Sequence, residues 1–229
     1  MKIGVILQAR MGSTRLPGKT LRPILSQPMI HFVIERLKQM HLPDVFILAV
    51  PDGPQDDLLK EIAQNESIEF FTGSESDVLD RYYRAADHFQ LDHIYRATGD
   101  NPFIEAKVQD RLIASHLAGG YEYSENFLQL PHGLGGEVFS SNGLKKCWEL
   151  SEEDHQREGV NDFILENQRL FSVGHVSHTP YSSQVASMDW TVDTLEEFNR
   201  AKAAFETLYE SNQSLEVEKV AKWFLQKRQ

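Results

Sequence analysis

Four short apolar runs, IGVIL, DVFILAV, IEFF and HIYRAT, recur through the first half of the chain, each parted from the next by a helical pattern. Each run is rich in β-branched or aromatic residues and bounded by turn formers, which is the signature of a strand. Between them, MIHFVIERLKQM places Ile30, Val33, Ile34, Leu37 and Met40 on one helical face. QDDLLKEIAQ contributes Leu58, Leu59 and Ile62. SESDVLDRYYRAADHF opens with Ser74 and Asp77 at capping-box spacing and carries Val78, Leu79, Tyr82, Ala86 and Phe89. Strands joined by helices of this length close as right-handed parallel crossovers, with helices covering both faces of the sheet. The pattern therefore predicts an α/β fold built on a mostly parallel sheet.

The second half is less regular. YEYSENFLQLPHGLGGEVFS reads as strands and a loop, and SEEDHQREGVNDFILENQ as helix. TLEEFNRAKAAFETLYE is a helix opening on a Thr194–Glu197 capping box, with Leu195, Phe198, Phe205 and Leu208 apolar. No repeat or Pro/Gly-rich linker divides the 229 residues, so one domain over 1–229 is expected. A formal net charge of -11 disfavours nucleic acid and anionic membranes as partners. No apolar run approaches the ~20 residues that span a bilayer. The opening MKIGVILQAR has neither a long apolar region nor a cleavage site, so a cytoplasmic protein is expected. The single cysteine, Cys147 in LKKCWEL, rules out an intrachain disulfide and is expected to pack as a small hydrophobe.

In open sheets of this kind ligands bind outside the carboxyl ends of the strands. The first run ends directly in QARMGSTRLPGK, which concentrates Arg10, Arg15 and Lys19 among glycines and the hydroxyls of Ser13 and Thr14. Guanidinium forks, a point charge and close backbone amides suit one polyanion, and a nucleoside triphosphate is the natural candidate. The other reading is a solvated loop whose cations balance an acidic body. The spacing is neither GxGxxG nor GxxxxGK[ST], so neither dinucleotide nor Walker-type binding is indicated. Asp100, in RATGDNP, follows the fourth run, although Asp-Asn-Pro is also a good turn. Asp193, in WTVDT, is expected to end a further strand, although a carboxylate there also suits a helix start. Two carboxylates at neighbouring strand ends match the preference of Mg2+ for one or two carboxylates plus phosphates and water.

QARMGSTRLPGK resembles the nucleotide loop of the sugar-acid cytidylyltransferases, which include the acylneuraminate and ketodeoxyoctonate enzymes, and above all their spore-coat polysaccharide branch. TGSESDVLDRYYRAA, RATGDNPFI, GLGGEVFS and WTVDTLEEF match further blocks of that branch in order, so the resemblance spans nearly the whole chain. It implies a three-layer nucleotidyltransferase fold, like that of the nucleotide-diphospho-sugar transferases, with a small extension often used in dimerisation, and hence a homodimer. It implies CTP as donor, a sugar acid or related sugar as acceptor, and Mg2+ held by Asp100 and Asp193. CMP would pass to an acceptor hydroxyl attacking the α-phosphorus, with pyrophosphate leaving past Arg10, Arg15 and Lys19, for surface polysaccharide or glycan biosynthesis.

The same resemblance assigns nucleotide binding to Gln8, Ala9, Arg10, Met11, Gly12, Ser13, Arg15 and Lys19, with Gly73, Ser74 and Asp77 beside the base and ribose. Asp77, Asp80 and Arg81 equally suit capping and bracing their helix. Arg96 is placed against the phosphates or in a strand-edge ion pair. Glu137 matches an acidic position near the acceptor, or a structural strand end. His132 is expected at the acceptor because PHGLGG lacks the acidic residue the family commonly has there. Gly159 likewise replaces the histidine of a common Arg-Glu-His-Val block, so the acceptor half departs where the donor half matches. His175 and His178, three apart in a strand, fall on opposite faces and make a poor metal pair. A glycosyltransferase of similar architecture is a second reading, against which stands the absence of any Asp-x-Asp. A non-catalytic nucleotide-binding protein is a third.

Overall fold

A computed structural model describes residues 1–177, 181–210 and 215–227. The strands are β1 (Ile3–Gln8), β2 (Pro23–Ile24), β3 (Gln27–Pro28), β4 (Val45–Pro51), β5 (Glu69–Gly73), β6 (His93–Thr98), β7 (Tyr123–Glu125), β8 (Glu137–Ser140) and β9 (Val173–His175). The helices are α1 (Met29–Leu37), α2 (Asp57–Asn65), α3 (Val78–His88), α4 (Ala106–Gly119), α5 (Ser141–Leu150), α6 (Asp154–Glu158), α7 (Asp162–Glu166), α8 (Ser183–Ala186), α9 (Leu195–Glu210) and α10 (Val217–Lys227). The sheet has seven strands in the order β5-β4-β1-β6-β8-β7-β9, and β2 and β3 form a separate small hairpin. β5, β4, β1 and β6 are parallel, as the crossovers require, and β8 runs antiparallel to β6 and β7.

Side chains of β1 alternate between the two faces, as strand geometry demands. Val5 and Leu7 pack with Ile30, Val33 and Ile34 of α1 and with Leu112 and Ile113 of α4. Ile6 packs the other way, with Leu79 and Tyr82 of α3 and Leu144 and Cys147 of α5. The result is the expected helix–sheet–helix sandwich, with Cys147 fully buried. A third core gathers α9 and α10 onto Met29 and Phe32 of α1, with Phe103 and Trp190 at its centre. Among the described residues no helix is long and apolar enough to cross a membrane.

Several local expectations change. Leu58 and Leu195 are each 52% exposed, because α2 buries only Leu59 and Ala63, and α9 buries Phe198, Ala201, Phe205 and Leu208 beyond its first turn. The segment read as one helix is two, α6 and α7, broken at Gly159, where a β-carbon would lie 2.1 Å from Asp162 Oδ2. Asp77 rather than Ser74 caps α3, its Oδ1 accepting from Asp80 N, while Ser74 Oγ accepts from Asp77 N in the preceding turn. WTVD is no strand: only Asp189 bridges, to His132, and Val192 N then donates to the Asp100 carbonyl as the chain turns into the Thr194–Glu197 cap. His175 of β9 bonds Glu125, and His178 lies outside the described residues.

Candidate active site

The sheet order sets where a crevice opens. From β1 the chain steps outward to β4 and β5, then returns to lay β6 on the other side of β1. The connections leaving β1 and β6 therefore diverge at their carboxyl ends, the topological switch point where open α/β sheets bind ligands. Gly99 closes the floor of the crevice. Its N–H donates to the Gln8 carbonyl at 2.9 Å, and a β-carbon would stand only 3.3 Å from both Ala9 Cβ and that oxygen.

The loop after β1 is fixed to the body of the protein. Met11 N donates to the buried carboxylate of Asp56 at 2.8 Å, Thr20 Oγ1 donates to the Arg10 carbonyl at 3.1 Å, and Leu16 is buried. Gly18 takes a left-handed conformation (φ 65°) to start the short turn Lys19–Leu21, a backbone that strains any residue with a β-carbon. These anchors decide against a loosely solvated loop. They deliver Arg10, Arg15 and Lys19 to one wall of the cleft, with Ser13 and Thr14 between them.

Lys19 sits at the centre. Its Nζ donates to Asp193 Oδ1 at 2.8 Å, to the Val192 carbonyl at 3.0 Å and to Asp100 Oδ2 at 3.2 Å. Arg15 Nη2 adds a contact to Asp193 Oδ2 at 2.9 Å, while Arg10 carries no ion pair among the described residues and stays exposed at the cleft. Asp100 and Asp193 thus converge on one cation from different segments, and this fits a divalent ion shared by two carboxylates. No group of three or more potential ligands exists among the described residues, so further ligands would come from phosphate oxygens and water.

The opposite wall was not legible in the sequence. Glu75, Val78 and Arg81 reach it from the start of α3, Thr98 and Gly99 from the end of β6, and Glu158 from α6. Arg81 is only 2% exposed, donates from Nη1 to the Ser74 carbonyl, and keeps Nε without a partner. Burial pulls its pKa below the ordinary arginine value, against the opposing pull of Asp56 and Glu75. The spacing of Val78 and Arg81, one helical turn apart just after a cap, was the available signal. Glu158 is placed by its neighbour: Arg157 Nη2 and Nε grip Asp77 Oδ2 at 2.5 and 2.9 Å, pinning α6 to the cap of α3.

Gln8 and Ala9 also line the cleft, whereas the other expected site residues stand elsewhere. Met11 and Gly12 are in the loop but do not line the cleft; Asp56 holds the first, and Glu75 Oε1 lies over the second, 3.4 Å from where a β-carbon would be. Gly73 ends β5 beneath Arg81, and Ser74 and Asp77 serve the cap and the Arg157 clamp. Arg96 pairs with buried Glu137 at 2.7 Å across β6 and β8, the strand-edge ion pair rather than a face toward the phosphates. His132, 74% exposed at its side chain, lies 3.3 Å from Asp189 and outside the cleft. Gly135 and Gly136 make room for Phe127 and Tyr95: β-carbons there would stand 2.5 Å from Phe127 Cδ1 and 2.5 Å from the Tyr95 hydroxyl.

The spore coat polysaccharide biosynthesis protein SpsF of Bacillus subtilis is 33% identical over 206 residues, 88% of this chain and 85% of that one. An uncharacterised protein of Methanocaldococcus jannaschii is 34% identical over 200 residues, covering 86% and 81%. A cytidylyltransferase structure from Leptospira borgpetersenii superposes with a TM-score of 0.90 at 28% identity, covering 100% of this chain and 95% of that one. A CMP-2-keto-3-deoxy-manno-octonic acid synthetase bound to CTP shares the fold, with a TM-score of 0.68 at 18% identity over 90% and 99% of the two chains. The family model described as cytidylyltransferase matches residues 4–222. The chain belongs to the cytidylyltransferase family, as a CTP-dependent nucleotidyltransferase.

Proposed function

We propose that the protein transfers CMP from CTP to a hydroxyl of a sugar acid or closely related sugar, with release of pyrophosphate. The observation that carries this is Lys19 Nζ lying between Asp100 and Asp193, within 3.2 Å of both, at the β1/β6 crevice. Arg10, Arg15 and Lys19 line one wall of the cleft. Donors prepositioned in this way supply the charge stabilisation that phosphoryl transfer needs, as charge grows on the non-bridging and leaving oxygens. Loss of one such contact typically costs about 3–4 kcal/mol in the transition state, a hundred- to a thousandfold in rate. Asp100 and Asp193 would hold Mg2+, which when bound polarises the α-phosphate and lowers the pKa of the acceptor hydroxyl.

Buried Arg81 offers Nε and its remaining N–H groups to the nucleotide from the facing wall. Glu158, fixed by the Arg157–Asp77 clamp, lines the same cleft without an ion pair among the described residues, which supports a role in accepting hydrogen bonds from acceptor hydroxyls. The names of the relatives, a spore coat polysaccharide biosynthesis protein and 3-deoxy-manno-octulosonate cytidylyltransferases, support a role in making an activated sugar for surface polysaccharide. Incubation with labelled CTP and a panel of sugar acids, set against UDP- and CMP-sugars, tests the assignment. A labelled CMP-sugar with one pyrophosphate per turnover supports it. Consumption of a nucleotide sugar without CTP would make the protein a glycosyltransferase instead.

A further inference from the structure

Lys19 occupies the point on which Asp100 and Asp193 converge, and that is also where a divalent ion would sit. The ammonium is 12% exposed at its side chain and makes three contacts, all to the metal-binding segments: two carboxylates and the Val192 carbonyl between them. Two carboxylates aimed at one point repel each other in a partly buried site, so some cation must stand between them for the fold to keep this geometry. Its placement is fixed from behind by the left-handed Gly18 and the buried Thr20 that flank it. An ammonium and a metal ion cannot share one point.

We propose that Lys19 is a resident counter-ion that competes with the divalent cation for Asp100 and Asp193, and that nucleotide binding relieves the competition by giving the ammonium phosphate oxygens instead. The inference rests on the reading of Asp100 and Asp193 as the metal-holding pair. It predicts that metal and triphosphate bind cooperatively because they trade one lysine, in addition to any direct ligation between them. Arg15 does not fill the same role: it meets only the outer oxygen of Asp193 and is 66% exposed. Positive coupling of this kind is reciprocal between the two ligands.

Binding of Mn2+ alone, followed by the electron paramagnetic resonance signal of the free ion, tests this without CTP or sugar. Lys19→Met keeps the side-chain stem and removes the charge, and it should bind Mn2+ on the order of tenfold more tightly than the parent. Adding Asp193→Asn to Lys19→Met should abolish the gain. Lys19→Gln carries the same expectation should Lys19→Met fail to fold, as judged by its circular dichroism melt. Equal or weaker Mn2+ binding by the uncharged variants overturns the proposal, as does an absence of binding in parent and variants alike. Because no turnover is measured, failure here leaves the CMP-transfer reading to its own product assay.

Discussion

Replacing Glu137 by glutamine separates a structural role from a ligand-binding one at a position where the sequence allowed both. Glu137 is 4% exposed, and its two oxygens are both engaged: Oε1 by Arg96 Nη1 at 2.7 Å, Oε2 by the Tyr123 hydroxyl at 3.2 Å. Glutamine keeps the size and removes the charge, leaving Arg96 without its counter-ion beneath α3. Breaking a buried pair by removing one partner costs about 3–5 kcal/mol. Arg96 retains 19% side-chain exposure, so its charge is partly solvated and the lower end, about 3 kcal/mol, applies. For a domain of this size that is a fall of roughly 6–12 °C in Tm. The assay is a thermal and a urea melt of Glu137→Gln, beside Arg96→Met and the double variant. The double variant should recover a substantial part of the loss, since it removes the stranded charge. A Glu137→Gln protein that melts within about 2 °C of the parent while its acceptor KM rises would refute the structural reading and place Glu137 at the substrate.

Two further outcomes follow from the site and the core. CTP with Mg2+ should raise Tm more than ATP, GTP or UTP, because only binding to the native state adds stability; equal shifts measured by differential scanning fluorimetry would remove the cytosine preference. His116 is buried between His93 and Ser124, and burial pushes its pKa down from the ordinary 6.5 to about 4. It stays neutral in the folded chain while the unfolded chain takes up the proton below about pH 6.5, so stability falls as pH drops from 6.5 towards 4, by about 2 kcal/mol at pH 5. Urea melts at pH 7 and pH 5 should show that loss in the parent and not in His116→Gln; parallel behaviour of the two proteins would count against it.

What the sequence disclosed, and what it hid, divides along a physical line. The parallel sheet, the loop after β1, and Asp100 at the end of β6 follow from local patterns: hydrophobic period, a cluster of charges, a carboxylate after a strand. Lys19 and the two aspartates could be nominated because their charges sit at segment ends, where open sheets bind ligands. Asp193 reaches the cleft although no strand leads to it: Val192 N donates to the Asp100 carbonyl, Asp193 N donates to Glu197 Oε2, and Lys19 and Arg15 hold the carboxylate. The facing wall depends on contacts across long sequence distances. Glu158 sits beside Arg157, whose grip on Asp77, 80 residues away, ties α6 to the cap of α3. In sequence Arg81 suits a helix brace; its burial with Nε unpaired among the described residues marks it as a donor. Nothing local in PHGLGG announces that Gly135 and Gly136 lie against Phe127 and Tyr95.

The central claim is that CMP transfer runs at the Asp100–Asp193–Lys19 cluster. Pyrophosphate release, measured with each of the four nucleoside triphosphates against a panel of sugar acids, addresses it directly when the parent is compared with Asp100→Asn. The account predicts release with CTP and an acceptor together, falling at least a hundredfold in Asp100→Asn while the variant keeps the parent's circular dichroism spectrum. Release that is indifferent to the base, or that persists near the parent rate in Asp100→Asn, would contradict it and leave Asp100 as the turn residue that Asp-Asn-Pro also describes.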